Sequence, residues 1–97
     1  MEQTKQAVRD ALMTVYLSQV LKVSGPDKLL KYIELDMSEF INNGLTSVPV
    51  NRRLEFGKYT EQCYIHGVDT KKELTEMFLS DAKRILKISS ELISSTK

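Results

Sequence analysis

The chain has 97 residues, with 14 basic and 13 acidic side chains that give a formal net charge of +1 at pH 7. This balance lacks the strong positive excess of a typical nucleic-acid-binding protein, so only a local basic patch could contact nucleic acid. The single cysteine, Cys63, excludes an internal disulfide, and a chain that needs no oxidising compartment is expected in the cytoplasm. The length predicts one domain, residues 1–97, with a modest core.

The N-terminal sequence predicts neither a signal peptide nor a membrane span. Residues 1–4 carry no basic region that leads into an apolar run. The most apolar early stretch, residues 11–23, is interrupted by polar side chains and is shorter than a membrane-spanning helix. We therefore expect no membrane insertion.

The first predicted helix covers residues 4–22 and is apolar on more than one side. Val8, Leu12 and Val15 form one stripe at helical spacing, which we predict to face the core. Four further apolar side chains lie off this stripe: Met13, Tyr16, Leu17 and Leu21. A helix that is apolar around much of its circumference is buried on more than one side. We therefore predict that this second set contacts a protein partner or a second copy of the chain. The alternative is that a four-helix bundle buries a wide stripe on each helix, so that the single chain covers this set itself.

The second predicted helix covers residues 27–43. Gly25 and Pro26 suit the end of one helix and the start of the next, and Gly44 closes the segment. A narrow apolar seam repeats at spacings of 3, 4 and 3 residues: Leu30, Ile33, Met37 and Phe40. The outer face is predicted to be acidic, with Glu34, Asp36 and Glu39.

The third predicted helix covers residues 49–66 and contains the one basic patch. Arg52, Arg53 and Lys58 lie near its start, where arginines of a DNA-recognition helix would be found. The alternative is that the patch pairs with the acidic face of the second helix. Gly57 inside the helix costs about 1 kcal/mol relative to alanine. Its apolar face is assigned to five side chains: Leu54, Phe56, Tyr59, Cys63 and Ile65.

Cys63 and His66 are the best candidates for metal or nucleophilic chemistry. They lie three residues apart, on one face of a helix. A zinc site normally takes four nitrogen or sulfur ligands, which one chain cannot supply here, although two copies could. No third group that would orient a catalytic pair is evident. We predict no catalytic residue, no bound metal and no cofactor, and assign Cys63 to the core.

The fourth predicted helix covers residues 70–94. Thr70 and Glu73 match a capping box at its start. The apolar seam of this helix is interrupted by Asp81. At 1.5 Å per residue it would overhang a 15-residue neighbour by roughly 10 Å or more. Three apolar side chains in its last turns are expected to be buried against other residues of this chain or against another chain: Ile88, Leu92 and Ile93.

These segments predict an all-α fold, a small bundle of about four mostly antiparallel helices joined by short connections. The predicted core comprises Val8, Leu12, Val15, Leu30, Ile33, Met37, Phe40, Leu54, Cys63, Leu74, Phe78, Ile85 and Ile88. The leading functional hypothesis is a non-catalytic interaction module, a regulator, adaptor or inhibitor, that acts as a homodimer through protein–protein contacts. The alternative is a dimeric DNA-binding regulator that uses the basic patch. A third hypothesis is metal- or thiol-dependent activity around Cys63 and His66.

Overall fold

The computed structural model describes residues 2–95, and the side chains of residues 5–87. This part of the chain forms four α-helices without a strand: α1 (Glu2–Ser24), α2 (Leu29–Asn43), α3 (Val50–Ile65) and α4 (Lys71–Ser95). Short 3₁₀ turns precede α2 and α3, at Pro26–Lys28 and Leu45–Ser47. The predicted all-α fold is confirmed, and each predicted helix boundary lies within two residues of the observed one.

Glycines end the first two helices at the predicted places. Gly25 and Gly44 have φ angles of +72° and +89°, in the region that glycine enters without a steric penalty. Their backbone N–H groups donate to the carbonyl oxygens of Leu21 and Phe40, at 3.0 and 2.8 Å. These bonds satisfy carbonyl groups that a helix end would otherwise leave without a partner.

The predicted capping box at the start of α4 is confirmed. The backbone N–H of Glu73 donates to the hydroxyl oxygen of Thr70 at 3.1 Å. The backbone N–H of Thr70 donates to a carboxylate oxygen of Glu73, also at 3.1 Å. The two side chains thus satisfy two of the N–H groups that lack partners within the helix.

Replacing Thr70 with alanine is expected to lower the free energy of unfolding by about 1 kcal/mol, because the N–H of Glu73 loses its acceptor. Urea denaturation of both proteins measures this difference. Thr75→Ala is a matched control, since the Thr75 hydroxyl only bonds back to the carbonyl of Lys71 within the same helix. An equal loss in the two variants would contradict the assigned role of the cap.

Helix α1 is central, because it contacts each of the other three helices and packs most closely on α3. Arg9 lies against His66 at one end of this pair, and the ring of Tyr16 contacts the ring of Phe56 further along. The residue numbers rise in one helix as they fall in the other. Helices α1 and α3 therefore run antiparallel.

The core is built around aromatic rings that come from all four helices. The rings of Tyr16, Phe56 and Phe78 pack against one another with centroids 5.4–5.7 Å apart. Phe40 packs on Phe56, and Tyr59 packs on Phe78. Edge-on and tilted contacts of this kind are favourable because the positive ring edge meets the negative ring face.

The inward face of α1 lies about a third of a turn around the helix from the one predicted. Met13, Tyr16 and Leu17 are buried, whereas Val8 and Val15 are 41% and 44% exposed. The first three therefore do not form a partner surface. The physical reason is that the face with Tyr16 brings an aromatic ring to the aromatic centre, and its hydroxyl finds a buried acceptor there. Of the predicted α1 partner residues, only Leu21 is exposed.

The predicted seams of the other helices need smaller corrections. The prediction is confirmed for five buried residues: Ile33, Met37, Cys63, Leu74 and Phe78. Three more are partly buried against the core: Leu12, Phe40 and Ile85. Leu30 and Leu54 are exposed, and their positions are taken by Leu29 and Phe56. The predicted core residue Ile88 and the predicted partner residues Leu92 and Ile93 lie outside the residues whose side chains are described.

Candidate functional site

The structure separates the three residues of the predicted basic patch. Arg52 is buried, and its guanidinium donates through two nitrogens to the two carboxylate oxygens of Asp36. Arg53 is occupied locally, because it donates to the backbone carbonyls of Val48 and Thr46 at 2.9 and 3.0 Å. Only Lys58 is exposed. Arg52 forms part of the fold because its guanidinium fork matches a carboxylate that also points inward.

Asp36 joins three helices in a buried polar network. Besides Arg52 of α3, the hydroxyl of Tyr16 in α1 donates to Asp36 at 2.7 Å. Burial raises the pKa of Tyr16 above its usual range, and the adjacent Asp36 carboxylate raises it further. Hydrogen bonding to Asp36 raises the pKa of Arg52 against the opposing effect of burial. The phenol therefore stays neutral and the guanidinium charged across the physiological range.

A second network is centred on Asp81 and joins α1, α3 and α4. The hydroxyl of Tyr59 donates to Asp81 at 2.6 Å, and the guanidinium of Arg9 donates to the same oxygen at 3.0 Å. Arg84 donates to the other oxygen of Asp81 at 3.2 Å and also pairs with Asp10. These contacts explain why a carboxylate interrupts the apolar seam of α4.

A polar cleft of about 630 Å³ opens beside the second network. Three of the charged side chains that line it are paired, since Arg9 and Arg84 both contact Asp81, while Glu73 and Glu76 line it as well. Arg9 also donates to Nδ1 of His66 at 2.9 Å, because a guanidinium carries only donors. The charges of these arginines and of Asp81 are thus engaged in holding the helices together.

Cys63 is not arranged as a nucleophile or metal ligand. Its side chain is fully buried, and burial raises its pKa to about 11. The thiolate, which is the form that attacks electrophiles and binds metals, is thereby disfavoured at neutral pH. Among the residues described, no three His, Cys, Asp or Glu side chains are grouped so that they could hold a metal ion.

Cys63 is expected to react with iodoacetamide at least about 100-fold more slowly than free cysteine at pH 7, because burial raises the pKa of its thiol from 9.0 to about 11. The raised pKa also stabilises the fold below pH 9, and this contribution is lost as the pH rises towards 11. Mass spectrometry of alkylation measures the rate, with the denatured chain as the control. Equal rates for folded and denatured protein would contradict the burial of the thiol.

The outward side of α3 is unusually apolar. Val50, Leu54 and Ile65 are 77%, 61% and 65% exposed. At about 100° per residue, Leu54 and Ile65 lie about 160° and 180° around the helix from the buried Phe56. This is the position where a surface helix normally carries charged or polar side chains. We refer to five of the exposed residues on this side as the α3 outer face, which leaves out the exposed Asn51: Val50, Leu54, Lys58, Glu61 and Ile65.

A shallow groove of about 510 Å³ lies at the N-terminal end of the α3 outer face. Leu45, Val50 and Leu54 supply its apolar lining. Gly57 makes room for this arrangement, because a Cβ atom at that position would lie 3.0 Å from a terminal methyl group of Leu45. The glycine inside the helix therefore permits Leu45 to pack closely on α3.

Sequence reasoning missed this surface, although the pattern that defines it is present in the sequence. Leu54, Lys58, Glu61 and Ile65 follow one another at spacings of 4, 3 and 4 residues. The sequence prediction instead places Leu54 in the core and Lys58 in a basic patch. The aromatic pair Phe56 and Tyr59 could have shown which side of α3 faces the core, because these larger side chains lie on a different side of the helix from Leu54.

No helix in the described part of the chain is both long and apolar enough to cross a membrane. No protein-family model, no curated protein and no solved structure is detectably similar to this chain.

Proposed function

We propose that this protein is a non-catalytic helical interaction module that acts through protein–protein contacts, its own second copy included. The observation that carries the proposal is the α3 outer face, with Val50, Leu54 and Ile65 exposed on the side of the helix opposite the core. Exposed apolar side chains that cluster together, as Leu45, Val50 and Leu54 do at the groove, are typical of sites where proteins meet.

A contact at this surface would be stabilised by the burial of its apolar side chains. Fully burying a leucine or isoleucine side chain is worth about 1.5–3 kcal/mol relative to leaving it in water. Leu54 and Ile65 are more than half exposed in the single chain, so most of that free energy is still to be gained. A cover over the α3 outer face would gain it, together with the burial of Val50 and Leu45.

Two further observations support a binding role over a catalytic or DNA-binding one. The buried polar groups Asp36 and Asp81 are engaged with tyrosine and arginine partners that join the helices. Arg52, the central residue of the DNA-binding hypothesis, is one of those partners and does not reach the surface. A protein that acts only by binding another protein does not require these polar groups to be available for chemistry. We place it in the cytoplasm, where Cys63 stays reduced.

Site-specific photo-crosslinking tests the proposal. A benzophenone side chain in place of Ile65 is expected to crosslink the purified chain to itself or to a discrete protein in extract of the source cells. The same probe in place of the exposed Lys31 of α2 is the matched control. The products at position 65 should disappear in a second variant that also carries Leu54→Glu. Equal labelling from positions 65 and 31, or labelling unchanged by Leu54→Glu, would contradict the proposal.

A further inference from the structure

We propose that the α3 outer face binds a second copy of the same chain, with the two α3 helices antiparallel about a two-fold axis midway between residues 59 and 60. The inference rests on the proposed function and deepens it, because it names the partner. Two-fold homodimers are the commonest protein oligomers, and their interface must be complementary to itself.

The α3 outer face has a spacing that suits pairing between helices. Leu54, Lys58, Glu61 and Ile65 alternate steps of 4 and 3 residues, and all four are exposed. Alternation of 4 and 3 keeps a stripe on one side of a helix that packs along another helix. The stripe has an apolar residue at each end and two opposite charges in the middle.

This order of residues is complementary to its own reverse. In an antiparallel pair with the axis between residues 59 and 60, Leu54 lies opposite Ile65 of the second copy. Lys58 lies opposite Glu61 of the second copy, and the two-fold axis repeats each of these pairs. The apolar layers are therefore at both ends and the ion pairs are between them.

Other arrangements of the same two helices bring like charges together. A parallel pair in register places Lys58 against Lys58 and Glu61 against Glu61. An antiparallel pair centred on Lys58 or on Glu61 does the same for that residue. Like-charge contacts at an interface select against such arrangements. Charge complementarity thus favours one orientation and one register.

The shape of the surface fits the same register. Ile65 projects from the C-terminal end of α3, and the groove lies towards the N-terminal end, with an apolar lining of Leu45, Val50 and Leu54 and charged side chains beside it. An antiparallel arrangement brings Ile65 of each copy to the groove of the other. The bulky side chain and the groove are therefore complementary, as the charges are.

The size of the surface predicts a weak dimer. Helix α3 has 16 residues and is about 24 Å long, so one helix pair with Leu45 at its margin covers less than a standard stable interface. We expect association that depends on concentration in the micromolar range or above. Sedimentation equilibrium over a range of concentrations measures the dissociation constant.

Charge exchange tests the register. Lys58→Glu places two acidic side chains opposite each other, and Glu61→Lys places two lysines together, in both halves of the two-fold interface. Each single variant should dimerise about tenfold more weakly than the wild-type chain. An equimolar mixture of the two variants should regain at least wild-type affinity, because one chain then presents two acidic residues and the other two lysines. Leu54→Glu should abolish the dimer.

The mixture separates an intermolecular effect from one within a single helix, where Lys58 and Glu61 are also neighbours. Circular dichroism checks that every variant keeps its helical content. Mixing that restores nothing, single variants that dimerise like the wild type, or a wild-type chain that stays monomeric would each overturn the proposal. Crosslinking from position 65 to a different protein would overturn it too, while leaving the proposed function in place.

Discussion

Replacing Asp36 with alanine is expected to lower the free energy of unfolding by about 3–5 kcal/mol, because Arg52 is then left as a buried charge without its partner. The hydroxyl of Tyr16 loses its acceptor in the same step. A domain of this size has a total stability of about 5–15 kcal/mol, so the variant should be close to unfolding at physiological temperature. Urea denaturation measures the difference.

Glu34→Ala is the matched control, since it removes an exposed carboxylate from the same helix. Its effect should stay within about 0.5 kcal/mol. The double variant Asp36→Ala/Arg52→Ala should be less destabilised than the sum of its single changes, because the unpaired charge has been removed as well. A loss below about 1 kcal/mol for Asp36→Ala would show that the network does not join the helices as described.

Truncating Phe78 to alanine is expected to cost about 3–5 kcal/mol, because its ring is buried at the centre of the aromatic cluster. Its contacts reach Tyr16, Phe56 and Tyr59, so the cavity would open between three helices. The same truncation of Phe40 should cost less, because that ring is only partly buried and contacts the cluster through Phe56 alone.

Comparing the Phe78 and Phe40 variants requires only the order of their stabilities, not an absolute free energy of unfolding. Thermal unfolding followed by circular dichroism gives the order of stability directly. A Phe40 variant that is less stable than the Phe78 variant would contradict the assignment of the aromatic centre.

The helix boundaries were largely predictable because interactions between residues close together in the sequence set them. Gly25 and Gly44 end helices at positions where the backbone must adopt a positive φ, which few other residues tolerate. Thr70 and Glu73 mark the start of α4 through bonds between near neighbours in the chain. Signals of this kind depend on residues only a few positions apart, so a single sequence contains them in full.

The choice of the inward face was not predictable in the same way. Helix α1 is apolar on two sides, and the spacing of Val8 and Val15 is as regular as that of Met13 and Tyr16. The two sides differ in what they meet, because Tyr16 bonds to Asp36, a residue 20 positions away. Periodicity carries no information about such a partner. The prediction of Asp36 on an acidic outer face is wrong for the same reason.

The sequence predicts exposed apolar surface on the helices, but it assigns part of that surface to residues that are buried. Surplus apolar surface on the helices was expected, with part of it on α1 at Met13, Tyr16 and Leu17. The structure buries those residues and leaves Leu54 and Ile65 exposed on α3. Pairing with the acidic face of the second helix, the alternative given for the basic patch, is observed between Arg52 and Asp36, but the pair is buried and not at the surface.

A dilution series of ¹H–¹⁵N correlation spectra tests the central claim most directly. If the α3 outer face is the contact surface, the amide signals of residues 50–65 should shift with concentration, with the largest changes near Leu54, Lys58, Glu61 and Ile65. Signals near Val8 and Val15, whose side chains are also exposed, should stay in place and serve as the internal control. Shifts confined to α1, or spectra that do not change with concentration, would contradict the account.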